Sequence, residues 1–201
     1  MAKCKYCQAD LTPDNLHEDC EKKHEKGMQE LKELYVHFIR GLFPLNETTD
    51  KQFQIVNDGY LKPKDIKQCA IYALKRIADT ADEKPYHLIE KRAKQLVDYL
   101  REKHDDINIG ELDAASKDLA GKLVKGYYKA YFTEGISEFH VMKNVHMVTQ
   151  VLPLGEEKEA AICKEVLDEA KQRNDNRIDS FVEAFINYQS PFLNSDENVN
   201  A

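Results

Sequence analysis

The sequence predicts a mainly α-helical protein, a bundle-like domain of about six or seven helices that follows a small cysteine-rich module. Three observations predict it. Apolar residues recur at three- and four-residue steps through most of the chain, the period of an amphipathic helix. Hydrophobic residues make up 42% and charged residues 32%, with 8 glycines and 6 prolines in 201 residues, the profile of a helix-rich folded chain. Three of the five cysteines and two of the seven histidines fall between Cys4 and His24. The length suffices for one large domain and an appendage, so the expected division is residues 1–28, residues 29–189, and a flexible polar tail over residues 190–201.

The N-terminal stretch reads CKYCQADLTPDNLHEDCEKKH. Cys4 and Cys7 are separated by two residues, as are His17 and Cys20, and nine residues lie between the pairs. Two ligands at that spacing reach one ion from a single turn, and zinc accepts a tetrahedron of thiolates and imidazoles. Asp10, Thr12, Pro13, Asp14 and Asn15 are turn formers between the pairs, while Tyr6, Leu11 and Leu16 can cover the flank of the ion. The expectation is one structural zinc ion held by Cys4, Cys7, His17 and Cys20. Cys20 and His24 also share a helical face, which makes His24 the alternative to His17. A redox Cys-x-x-Cys pair sits between a strand and a helix, and no strand is predicted before Cys4. Four protein ligands close the coordination sphere, the pattern of a structural ion rather than one that activates water.

These residues resemble the short treble-clef and zinc-knuckle modules, in which a Cys-x2-Cys turn is followed by a helix carrying the second pair. The His-x2-Cys pair is similar to that of the LIM type, whose longer loop and second zinc unit are absent here. The resemblance covers Cys4 to about Met28. It implies metal binding, and modules of this kind bind proteins, bind nucleic acid, or close a terminus.

The elements follow in order. From Glu21 to about Phe43, the residues Leu31, Leu34, Tyr35, Phe38, Ile39 and Leu42 form one apolar stripe, ended by Gly41, Pro44 and Asn46. His37 lies beside it. Residues 47–63 admit two readings: a short β-hairpin near 53–61 turning at Asn57-Asp58-Gly59, or a helix capped by Thr49 or Asp50. Pro63 opens a helix with Ile66, Cys69, Ala70, Ala73, Leu74 and Ile77 inward. Another begins near Pro85 with Ile89, Ala93, Leu96, Val97 and Leu100 inward, and His104 in its last turn suits the helix dipole. Asp105 to Gly110 fails the calcium-loop template, because the position for the invariant glycine holds Glu111 and the twelfth position holds Lys117. A helix over about 112–132 carries Leu112, Ala115, Leu119, Leu123, Tyr127 and Tyr131 on one face and Lys117, Lys122, Lys125 and Lys129 on the other. The segment Phe139 to Leu152 reads as a helix with some strand character, and its His140 and His146 are spaced unsuitably for one ion. Two more helices follow, Glu156 to about Arg173 with Cys163, Val166, Leu167 and Ala170 inward, and a last one with Ile178, Phe181, Val182, Phe185 and Ile186 aligned. Cys69 and Cys163 read as core residues.

Charge and motifs narrow the function. The net charge is -7, so no global field draws in a phosphate backbone, and nucleic-acid binding requires a local basic face. The lysine row from Lys117 to Lys129, interleaved with Tyr127, Tyr128 and Tyr131, is the candidate for such a face. No signal peptide and no bilayer-length apolar run are visible, and the clustered cysteines fit a reducing compartment, so the expected location is the cytoplasm. Phosphate-binding loops, nucleophile elbows, dinucleotide turns and paired Glu-x-x-His motifs are missing from the sequence, which leaves an enzyme without sequence support. The expectation is therefore a cytoplasmic protein-interaction or regulatory protein that acts through a helical surface on a protein partner. A nucleic-acid-binding regulator that uses the zinc module or the lysine face is the alternative.

Overall fold

The computed structural model describes residues 3–10, 18–81, 88–104, 109–152 and 154–193. Among them are eight helices and no strand: α1 (Glu18–Ile39), α2 (Leu45–Asp58), α3 (Pro63–Ala81), α4 (Ile89–Lys103), α5 (Ile109–Glu134), α6 (Glu138–Val151), α7 (Glu156–Gln172) and α8 (Ile178–Leu193). The mainly helical expectation holds. The hairpin reading near 53–61 does not: that stretch is the second half of α2 and its C-terminal turn. The apolar run 53–56 suggested strand because the inward face of α2 is polar. Thr48 and Gln52 are buried one turn apart, and Gln52 is satisfied by the Tyr35 hydroxyl at 2.8 Å and by Tyr99 at 3.4 Å. Phe53, the leading residue of the supposed strand, is exposed.

The chain divides into two compact units, Met1–Ile77 with Tyr86–Ser116 and Ala78–Pro85 with Lys117–Ala201. In the first unit α1 packs on α2 and α4. Leu31, Leu34, Tyr35, Phe38 and Ile39 are buried as their spacing predicts, and the expected stripes of α3 and α4 are buried with them. Leu42 is exposed instead, because α1 ends earlier. Gly41, at φ +85°, occupies the left-handed position after the helix; its N–H donates to Phe38 O and that of Leu42 donates to His37 O, at 2.9 Å each. That pair of bonds is a Schellman cap, which satisfies carbonyls the last turn leaves open.

The second unit is built around an aromatic cluster. Tyr128, Tyr131, Phe132 and Phe181 are buried, with ring centroids of Phe181 5.1–5.4 Å from those of the other three. Most positions from Leu119 to Phe132 are buried, so this part of α5 is enclosed on more than the single face its periodicity suggested. α8 packs on α6 and α7. Its stripe is only partly inward: Phe181 is fully buried and Ile186 is exposed. Arg177 joins the junction before α8 to the end of α5, donating to the carbonyls of Tyr131 at 3.0 Å and Phe132 at 2.6 Å.

Candidate metal centre

Residues 3–10 fold into a tight loop. Lys3 and Asp10 form an antiparallel bridge, the Cys4 N–H donates to Ala9 O at 2.8 Å, and the Gln8 N–H donates to Cys4 O at 3.1 Å. Gln8 takes a left-handed conformation at φ 63°, which reverses the chain after Cys7. The turn aims the backbone N–H groups of Tyr6 and Cys7 at the Cys4 sulfur. Cys20 enters from α1, whose first turn it occupies; a helix N-terminus favours a thiolate.

The sulfurs of Cys4, Cys7 and Cys20 converge to within 4.8 Å of one another. In a tetrahedral zinc thiolate, with Zn–S of about 2.3 Å, sulfurs stand about 3.8 Å apart, so a small closing movement accommodates an ion. Cys4 is buried and the other two are half-buried. Desolvation acts to raise the Cys4 thiol, but the amides of Cys7 and Tyr6 and the thiols of Cys7 and Cys20 outweigh it and hold it below its ordinary value. The Cys20 thiol is pushed up to about 11, first by desolvation and then by its hydrogen bond to Cys7 and the charges of Cys7 and Cys4. Three sulfurs converging from two segments make a donor set that fits a thiolate-binding cation such as zinc.

Side chains around the loop tie it to two helices. The Tyr6 hydroxyl donates to Glu21 Oε1 at 2.9 Å, and Lys5 Nζ reaches the same oxygen at 3.4 Å. The Tyr6 ring lies 4.7 Å from that of His24. His24 Nε2 is 3.3 Å from Asp65 Oδ2, and the same oxygen accepts the Lys62 N–H at 2.9 Å. Asp65 is the third residue of α3 and reaches back to the residue before Pro63, one half of a capping box. Lys62 Nζ completes the link by donating to Lys5 O at 3.0 Å.

Of the predicted ligands, the structure brings together Cys4, Cys7 and Cys20. His17 lies outside the described residues. His24, the alternative, does not join the converging sulfurs; its Nε2 is engaged by Asp65. The sequence reading missed Asp65, although the Lys62-Pro63-Lys64-Asp65 pattern at a helix start signals a carboxylate that caps backward.

The lysine row is dispersed. Lys117 is exposed and Lys122 is half-buried, while Lys125 Nζ pairs with Glu165 at 2.6 Å and Lys129 Nζ with Glu169 at 3.5 Å. Tyr127, Tyr128 and Tyr131 are all buried, so their faces are not presented for stacking. Among the described residues the remaining histidines occupy local roles: His37 packs edge-on to Phe43, His140 Nδ1 meets Ser137 Oγ at 2.8 Å, and His146 packs on Tyr188. His104 forms the C-cap of α4, where burial lowers its pKa. The Asp105–Gly110 loop lies largely outside the described residues, as does most of the tail expected from 190 onward. No described helix is long and apolar enough to cross a membrane. Compared with models of protein families, with curated proteins and with solved structures, the chain matches none.

Proposed function

We propose that this is a non-enzymatic, zinc-containing interaction or regulatory protein of the cytoplasm, in which one structural zinc ion is held by Cys4, Cys7, Cys20 and His17. The observation that carries the reading is the convergence of three thiols within 4.8 Å, two from the loop 3–10 and one from the first turn of α1. The loop 3–10 makes its internal bonds, α1 makes its own, and a bound ion crosslinks the two. Zinc supplies only that crosslink here, since a Cys3His set leaves no coordination position for water or substrate.

The case for a protein partner rests on charge. At -7 the chain repels polyanions, and two of the four lysines of the candidate basic face are already paired with glutamates of α7. A protein surface makes no such demand for positive charge. No observation favours the nucleic-acid reading over this one.

Elemental mass spectrometry of protein purified without chelator tests the metal, and affinity capture with zinc-loaded and zinc-stripped protein tests the partner. Stoichiometric zinc with zinc-dependent capture of a defined protein is the expected result. A chain that takes up no zinc when reduced overturns the metal, and salt-sensitive retention of nucleic acid by the full chain overturns the choice of partner.

A further inference from the structure

The five cysteines divide by environment. Cys69 and Cys163 are buried in the cores of their units, and burial pushes both thiols up to about 12. Cys69 lies 3.4 Å from Met28 O, which its S–H can reach. Protonated and shielded thiols of this kind react slowly with oxidants, whose target is an accessible thiolate. Cys7 and Cys20 differ in exposure and in neighbourhood: each is half-buried, and their sulfurs lie within 4.8 Å of each other and of Cys4. Holding a divalent cation, they would do so as thiolates. Cys4 is the most protected of the three, being buried and hydrogen-bonded by two backbone amides.

Side-chain contacts also hold the loop: the Tyr6 ring lies against His24, and Lys62 Nζ donates to Lys5 O. The Lys5–Glu21 pair has both side chains more than half exposed, and such pairs contribute little. The Tyr6–Glu21 bond is exposed too. An ion bound to all three sulfurs would add a further crosslink between the loop and α1.

We propose that Cys7 and Cys20 form a peroxide-sensitive modification site, whose oxidation to a disulfide ejects the cation and leaves the loop 3–10 joined to α1 by an S–S bond in place of the ion. This rests on the zinc reading above and adds its regulation. One thiolate attacks a hydroperoxide oxygen; the O–O bond breaks, the sulfur becomes a sulfenic acid, and the departing hydroxide takes a proton to form water. The second thiolate attacks that sulfur, the S–O bond breaks, and the hydroxide leaves as a second water. The sulfur pair loses two electrons to the peroxide, two protons are consumed from solvent, and the divalent ion departs with its charge unchanged. The sulfurs must close to about 2.0 Å, which requires the loop to shift toward α1.

The test uses zinc-loaded, reduced full-length chain treated with hydrogen peroxide, with zinc release followed by a chelating dye and cysteine modification mapped by peptide mass spectrometry. Zinc is expected to leave stoichiometrically, in step with a Cys7–Cys20 disulfide, while Cys69 and Cys163 stay reduced; a thiol reductant with added zinc restores the starting state. Zinc retained under peroxide, oxidation of Cys69 or Cys163 first, or over-oxidised sulfurs without a disulfide would overturn the inference and leave the metal reading standing. Reduced protein that binds no zinc overturns the metal reading itself.

Discussion

At the scale of single residues, the proposed zinc site distinguishes ligands from supports. Cys7→Ser or Cys20→Ser removes a donor, and zinc affinity is expected to fall by well over a hundredfold, more than the roughly 10- to 100-fold typical of losing an outer-shell partner. His24→Ala removes a ring that stacks on Tyr6 and bonds to Asp65, so its loss is expected to stay inside that smaller range. A competition titration against a zinc-binding dye reads both; equal losses for His24→Ala and Cys20→Ser would make His24 a ligand. Spacing made Cys4, Cys7 and Cys20 legible, because ligands two residues apart in a turn are a local property. The bond between His24 and Asp65 joins residues 41 positions apart, and no local pattern announces it.

Among elements, the crossing of α1 and α2 explains a glycine that the sequence reading assigned to a turn. Gly59 has φ -91°, which any residue adopts, so it is not there for its backbone angle. A Cβ at Gly59 would meet Ile55 O at 3.0 Å and Gly27 Cα at 3.1 Å. The left-handed position falls one residue later, on Tyr60 at φ 52°, whose Schellman-type cap is completed by Leu61 N–H to Val56 O at 2.9 Å. Gly59→Ala is expected to destabilise the first unit by about 1–3 kcal/mol through overpacking. Tyr60→Gly is expected to relieve up to about 1 kcal/mol of backbone strain. Chemical denaturation distinguishes the two by sign.

The junction of α7 and α8 offers a pH test on the same scale. Asp175 accepts from the Arg177 side chain and backbone N–H, which lower its carboxyl to about 2 from the ordinary 3.8. Because the folded value is depressed, the stabilisation is complete above about pH 4 and is lost as pH falls toward 2. Asp175→Asn should flatten that acid dependence in thermal melts of the second unit, while leaving the profile above pH 5 parallel to the parent's.

For the whole molecule, the division into two units predicts where metal removal is felt. Chelation is expected to reduce amide protection in the first turns of α1 and α3, which the loop 3–10 joins through Tyr6, His24, Asp65 and Lys62. The helices of the second unit, α6 to α8, should keep theirs. Hydrogen exchange with and without chelator measures this directly, and protection lost evenly across both units would contradict it. The aromatic cluster of Tyr128, Tyr131, Phe132 and Phe181 lies wholly within the second unit.

By itself, the sequence determined the helical class, the buried stripes of α1, α3 and α4, and the three convergent cysteines, because helical period and chelate spacing are written in neighbouring residues. Tertiary structure alone decided that residues 53–58 are helix, since the buried Gln52 is stabilised by Tyr35 and Tyr99 from other segments. It also decided that Tyr127, Tyr128 and Tyr131 face a core and that Lys125 and Lys129 are paired with α7. An amphipathic pattern identifies one covered face; how many more are covered depends on the helices that pack around it.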